Sequence, residues 1–460
     1  EGYKNLIKLV SISNNEGFYY RPRVDKALLR KYSKGLICMS ACIANDIAQS
    51  VIEGNEPAAK KLIEEYLDIF GKEDFYFEVQ NHSIPEEKKV MEFYQRMSKE
   101  YDVKIVATTD SHFLKSDDAY AHEVMLSIQT NGDMSDPNRF RFDGEGYHVM
   151  SEEEVLNLFP SNPEYVEASS EVAKRCNVEL EMGDPIFPHF DSPDGMSHKE
   201  HLYKWCKDGV DRIYGDEDNY KEAIDRMNFE LGVIGKMGFE AYFLIVADFI
   251  QAAKKFCQVG PGRGSGAGSI VAYSLGITQL DPLKLGLLFE RFLNPDRISL
   301  PDFDIDFGDK DIVLDYVRKK YGEDKIAMIG TFGTMSAKAV LKDVMRVFRI
   351  PFDEANAITK LVSEKTIEKS LNAKTDGGNF TPDAEELQKL AKKHEQIFDI
   401  AKRLEGCVRH KGVHACGVVW GREAISHYLP VYGRQGDVIT QVEGPDIETY
   451  GLVKFDFLGL

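Results

Sequence analysis

The chain has 460 residues, 43% of them hydrophobic, and 57 Lys and Arg against 76 Asp and Glu give a formal charge of −19. That length exceeds one ordinary core and implies two to four domains. No run approaches the roughly 18 apolar residues of a membrane span, no signal-peptide pattern opens the chain, and seven unevenly spaced cysteines suit free thiols of a reducing cytoplasm better than a disulfide framework.

The chain begins at Glu1 and not Met, as expected of a piece of a longer protein. Residues 1–130 read as alternating strands and helices: strand-like runs at 36–39, 75–79 and 104–108, with helical spacing over 57–70 and 84–101. Such alternation implies a parallel sheet or barrel. Cys42, His82, Asp110 and His112 fall just past the strands' C-terminal ends, where α/β barrels assemble their sites; each alone reads more readily as ordinary packing, and their recurrence at equivalent positions puts a metal site on a par with it. Ser151 and Glu154 make a capping-box pattern, and the Pro- and Asp-rich stretch 184–195 marks a boundary. Helices are predicted over 198–214, 219–237 and 240–256.

The acidic total speaks against nucleic acid, but residues 251–300 hold Lys254, Lys255, Arg263, Lys284, Arg291 and Arg297 against only Asp281, Glu290 and Asp296. Within this basic island, the glycine-rich stretch 259–269 allows backbone N–H groups to approach an anion, and a helix from about Ser269 is expected to aim its positive end there. It lacks the Gly-Lys-Ser/Thr of a Walker A loop. Gly262, Gly264, Ala267 and Asp281 fit a loose dinucleotide fingerprint, but the segment before it reads as helix and not strand. Arg291 and Arg297 beside such a loop suit a polyphosphate, or else a solvated helix face.

Asp302, Asp304 and Asp306 alternate with Phe303, Ile305 and Phe307, so a strand here places three carboxylates on one face. Like charges at that spacing raise one another's pKa unless a cation sits among them, which points to hard divalent ions. The bland alternative is an edge strand made polar against aggregation. Residues 335–348 read as an amphipathic helix with Lys338, Lys342 and Arg346 on one stripe, suited to a duplex backbone or to solvent. A polar loop at 372–382 marks a mobile tip. Residues 411–420 look like a turn entering a buried strand, with His414 as readily packed as functional. The last segment alternates again, Lys454 and Asp456 sharing a face, and Asp456 supplies the carboxylate from a separate strand that a two-metal site requires.

These motifs, GPGRGSGAGS (260–269), LLFERFLNPDR (287–297), PDFDIDF (301–307), TFGTMSAKAVLKDV (331–344) and LVKFDFLGL (452–460), closely resemble the bacterial DNA polymerase III alpha family, the C-family polymerases. The resemblance implies a multidomain α/β and α+β protein. Residues 1–180 would be the later part of a polymerase-and-histidinol-phosphatase (PHP) domain, a partial (βα) barrel. A nucleotidyltransferase-type palm would cover 181–335 and resume at 411–460, with a helical thumb inserted at 336–410. It implies a cytoplasmic DNA-directed DNA polymerase of chromosomal replication, adding deoxynucleotides to a primer 3′-hydroxyl. Asp302 and Asp304 would bridge two Mg²⁺ ions about 3.5–4 Å apart, and Asp456 would hold the ion that activates the hydroxyl. Gly264, Ser265 and Arg291 would bind the β- and γ-phosphates, Lys454 would neutralise charge nearby, and Asp306 would stand outside the ion site. Cys42, His82, Asp110 and His112 match later ligands of a PHP metal site for Zn²⁺ or Mn²⁺ in the complete protein. The family's earlier His-x-His segment and its fingers, clamp-binding and oligonucleotide-binding regions do not fall in this chain, so the piece alone is expected to be inactive. Implied partners are primer-template DNA and deoxynucleoside triphosphates and, for the complete protein, a sliding clamp, a clamp loader and an exonuclease subunit. A PHP-type phosphoesterase or 3′-exonuclease and an interaction scaffold are the rival readings.

Overall fold

Three helices follow the Pro/Asp-rich connector where the apolar spacing predicts them, at His198–Tyr214, Tyr220–Met237 and Glu240–Phe256. Ser197 and Glu200 cap the first reciprocally, satisfying amides the helix start leaves unpaired. The third buries nearly all of its side chains from Ala241 to Ala253, so its apolar run serves a protein core. Among the described residues no helix is long and apolar enough to cross a membrane. In this computed structural model every residue is described except 181, 184, 295–300, 435, 436 and 460, so Arg297 and the start of the connector lie outside the described residues.

The chain divides into two compact units. One comprises Glu1–Tyr3, Leu29–Val178 and Phe332–His410. Its strands β1 (Cys38–Met39), β2 (Phe75–Val79) and β3 (Ile105–Ala107) pair in parallel in chain order. Helices Glu56–Phe70 and Pro85–Tyr101 fall between them as the periodicity predicts. Among the described residues these strands form an open sheet and not a closed barrel. Helices between Ala337 and Leu404 bury Val340, Leu341, Val344, Leu387 and Phe398 together with Ala121, Val124 and Ile128 of the helix Ala119–Gln129. Lys338, Lys342 and Arg346 stay exposed on the opposite face of the helix Ala337–Val347.

The other unit comprises Lys4–Leu28, Glu179–Thr331 and Lys411–Leu460. Residues 4–28 belong to this unit. The helix Gly2–Asn15 is tied to this unit by Ser11, whose Oγ accepts from the Val431 amide at 3.1 Å. The sheet contains β4 (Ile305–Phe307), β5 (Ile326–Thr334), β6 (Val408–Trp420), β7 (Val431–Arg434), β8 (Asp437–Thr440) and β9 (Val453–Gly459), in the order β4-β9-β6-β5-β8-β7. The chain leaves it at the end of β5 and returns at the start of β6, with helices in between. Period-two alternation drives the centre of the sheet: Phe303, Ile305, Phe307, Phe455 and Phe457 all point into one core with Tyr242, Phe243, Phe249 and Trp420.

The turn expected at 411–420 is absent, since β6 runs through it. Its glycines serve close approach: a Cβ on Gly412 would lie 2.7 Å from Thr331 Oγ1, and one on Gly417 would lie 2.8 Å from His414 Nδ1.

Candidate active site

β4 and β9 pair in parallel, Ile305 opposite Phe457, which brings together two acidic segments about 150 residues apart. With the aromatic faces committed to the core, Asp302, Asp304 and Asp456 emerge on the other face, one carboxylate oxygen of each lying within 4.8 Å of the other two. Among the described residues they are the one group of three or more metal-capable side chains that assembles. Lys454 Nζ lies 2.9 Å from Asp456 Oδ2, while Asp456 Oδ1 is buried with no hydrogen-bond partner. A buried carboxylate oxygen left unpaired is costly, and a hard cation is the partner that fits such a donor set. Asp302 is exposed overall, yet the protein around its carboxyl, then Asp456 against the pull of Lys454, pushes its pKa up to about 6. Asp306 does not join the three; it faces Arg263 Nε at 3.7 Å.

The glycine stretch runs along the outer edge of the acidic strand. Val259 bridges Phe307, Arg263 bridges Asp304, and the Gly260 amide donates to the Asp306 carbonyl at 2.8 Å. Gly264 has φ +70°, and a Cβ there would sit 2.8 Å from Asp304 Oδ2, so a side chain would collide with the carboxylate. Gly268 presses on the Leu288 carbonyl, where a Cβ would come within 2.6 Å, which seats the loop against the short turn Phe289–Arg291. Gly264, Ser265 and Arg291 are all exposed. The helix expected from Ser269 is only Ile270–Ser274, and its N-terminus does not await an anion. Buried Glu230 fills it, accepting from Ser269 Oγ (2.7 Å) and from the Ile270 and Val271 amides (3.1 Å each).

The family description "Bacterial DNA polymerase III alpha NTPase domain" matches residues 200–459, and "PHP domain" matches residues 1–82. The chain is 43% identical to the DNA polymerase III subunit alpha of Borreliella burgdorferi, covering 100% of this chain and 40% of that protein. The corresponding figures are 37%, 100% and 42% for Thermus aquaticus, and 39%, 100% and 40% for Vibrio cholerae. The chain belongs to the bacterial DNA polymerase III alpha family. It spans about two fifths of the length of these relatives.

The PHP candidates sit at the C-terminal ends of β1, β2 and β3. Glu78 draws those ends together, accepting from the Ala41 amide at 2.9 Å and from Thr108 Oγ1 at 2.5 Å. Asp110 lies 3.4 Å from His112, whose ring packs edge-on to Phe142, and His82 stacks on Tyr147. The four are not drawn into one ligand set, and both His82 nitrogens are engaged, Nδ1 with Glu87 (2.7 Å) and Nε2 with the Thr109 carbonyl (3.2 Å). Sequence reasoning missed Glu230 and Glu448, the latter lining a cavity beside Lys454. Glu230 sits mid-helix at an apolar position, a visible anomaly, whereas Glu448 carries no local signal.

Proposed function

We propose that this chain is the catalytic portion of a cytoplasmic DNA-directed DNA polymerase that extends a primer on a DNA template, with 1–180 a PHP portion, 181–335 and 411–460 the palm, and 336–410 the thumb. The convergence of Asp302, Asp304 and Asp456 carries the reading, because it forms a dense carboxylate site from distant strands with one buried oxygen unpaired. Asp302, Asp304 and Asp456 would hold divalent ions of the Mg²⁺ type, which when bound would supply Lewis-acid polarisation of the phosphoryl group and a lowered pKa for the attacking hydroxyl. Lys454 offsets part of the negative charge on Asp456 and keeps its carboxylate oriented. Gly264 and Ser265 offer backbone and hydroxyl donors and Arg291 a guanidinium to the triphosphate, while the exposed stripe Lys338, Lys342 and Arg346 suits a duplex backbone. Cys42, His82, Asp110 and His112 would contribute to a PHP site for Zn²⁺ or Mn²⁺ that needs further ligands, His82 once its contact with Glu87 or Thr109 is released. Clamp, clamp loader and exonuclease subunit are partners of the complete protein.

Primer extension by the full-length protein tests this directly: incorporation should vanish on chelation and return with Mg²⁺. Divalent-independent incorporation would overturn the reading. Arg291→Ala should weaken nucleotide binding by roughly 1.5–3 kcal/mol, the range for a charge-assisted hydrogen bond, with DNA affinity little changed. An unaltered nucleotide affinity removes Arg291 from the site.

A further inference from the structure

A cavity of about 340 Å³ opens beside Lys454, lined by Thr331, His414, Glu443, Glu448 and Lys454 among others. The sheet order places it relative to the carboxylates. The glycine loop flanks β4, the carboxylates lie just before β4 and on β9, and β6 follows on the other side of β9. Gly417 of β6 pairs with Asp456 and Val419 with Lys454, so these positions face the same side as the acidic site. Gly417 contributes no side chain, and the His414 ring occupies that space. Its Nδ1 accepts from the Gly417 amide at 2.6 Å and the Cys416 amide at 3.3 Å. An imidazole nitrogen that accepts carries no proton, so Nε2 holds the hydrogen. Among the described residues no group accepts from it.

Resting on the polymerase reading, we propose that this cavity seats the 3′-terminal sugar of the primer and that His414 is a positioning contact for it, donating its Nε2–H to a sugar oxygen. If the triphosphate lies along the glycine loop, the second reactant must approach the carboxylates from the opposite side, which is where the cavity opens. The lining selects the sugar over a phosphate, since Glu443 and Glu448 repel a further anion, while a neutral oxygen acceptor suits an imidazole N–H and Lys454. The volume is at the small end for ligand sites and suits a sugar better than a whole nucleotide.

Two substitutions separate this role from mere support of β6. In His414→Asn the amide oxygen takes the place of Nδ1 and keeps the acceptor for the Gly417 and Cys416 amides, but nothing replaces Nε2–H. In His414→Gln the amide nitrogen approximates Nε2–H. In full-length protein, His414→Asn is expected to raise the KM for primer termini about 3- to 10-fold, the worth of one neutral hydrogen bond, with the KM for nucleotide unchanged. His414→Gln is expected to recover part of that loss. An unchanged KM for primer termini in His414→Asn, an effect confined to nucleotide KM, or no recovery in His414→Gln would overturn the proposal. Incorporation that persists in Asp302→Asn would instead remove the polymerase reading itself.

Discussion

Asp456→Asn is expected to reduce nucleotide incorporation by the full-length protein by about a thousandfold or more while leaving duplex affinity nearly unchanged. The amide keeps the shape of the carboxylate but removes its charge, and metal-based charge stabilisation is worth several kcal/mol in such a transition state. It also leaves Lys454 without its 2.9 Å partner, so a positive charge stands where a cation is needed. Asp302→Asn and Asp304→Asn should match it, because the three oxygens lie within 4.8 Å of one another and, on the proposed reading, act as one ligand set. Asp306→Asn is the control: it has only a loose 3.7 Å approach to the half-exposed Arg263, worth about 0–1 kcal/mol, so activity should change no more than several-fold. Single-turnover primer extension measures all four. Asp456→Asn within tenfold of the parent, or Asp306→Asn as damaging as the others, would refute this assignment.

The parts legible in the sequence were those written in local periodicity. Alternation in 301–307 and 451–460 revealed which side chains share a face, and helical spacing located the helices Tyr220–Met237 and Glu240–Phe256 within a residue at each end. Alternation alone does not reveal that β4 pairs with β9; that followed from the chemical need for a third carboxylate and from family resemblance.

What misled was chemistry supplied from elsewhere in the chain. Residues 411–420 read as a turn entering a buried strand; the strand is there, but it runs through the expected turn, and Gly412 and Gly417 make room for Thr331 and His414. The helix after Ser269 read as an open anion site because its occupant, Glu230, comes from about 40 positions upstream. In the PHP segment, strand-end placement was readable for His82, but its engagement by Glu87 and Thr109 depends on loop conformation, which spacing does not encode.

Glu230→Ala is expected to destabilise the chain by about 3–5 kcal/mol, the penalty for breaking a buried pair from one side. Glu230 is fully buried, and Arg226 Nε donates to it at 2.8 Å. Burial drives the carboxyl pKa upward, while Ser269, the two amides and Arg226 pull it back down. Deleting the carboxylate leaves those donors unpaired inside an apolar core. The damage should extend to the glycine loop, because Arg226 also donates to the carbonyls of Gly268 (3.2 Å) and Leu287 (3.3 Å), which flank the loop and the turn bearing Arg291. Glu230→Gln keeps the shape and one acceptor oxygen, so it should fall between parent and alanine. Urea unfolding followed by hydrogen exchange at residues 264–275 measures both effects. A shift below about 0.5 kcal/mol, typical of surface substitutions, would show that the clamp does not hold the loop. If stability falls as expected but exchange in the loop is unaltered, Glu230 supports the helix Ile270–Ser274 without governing the glycines before it.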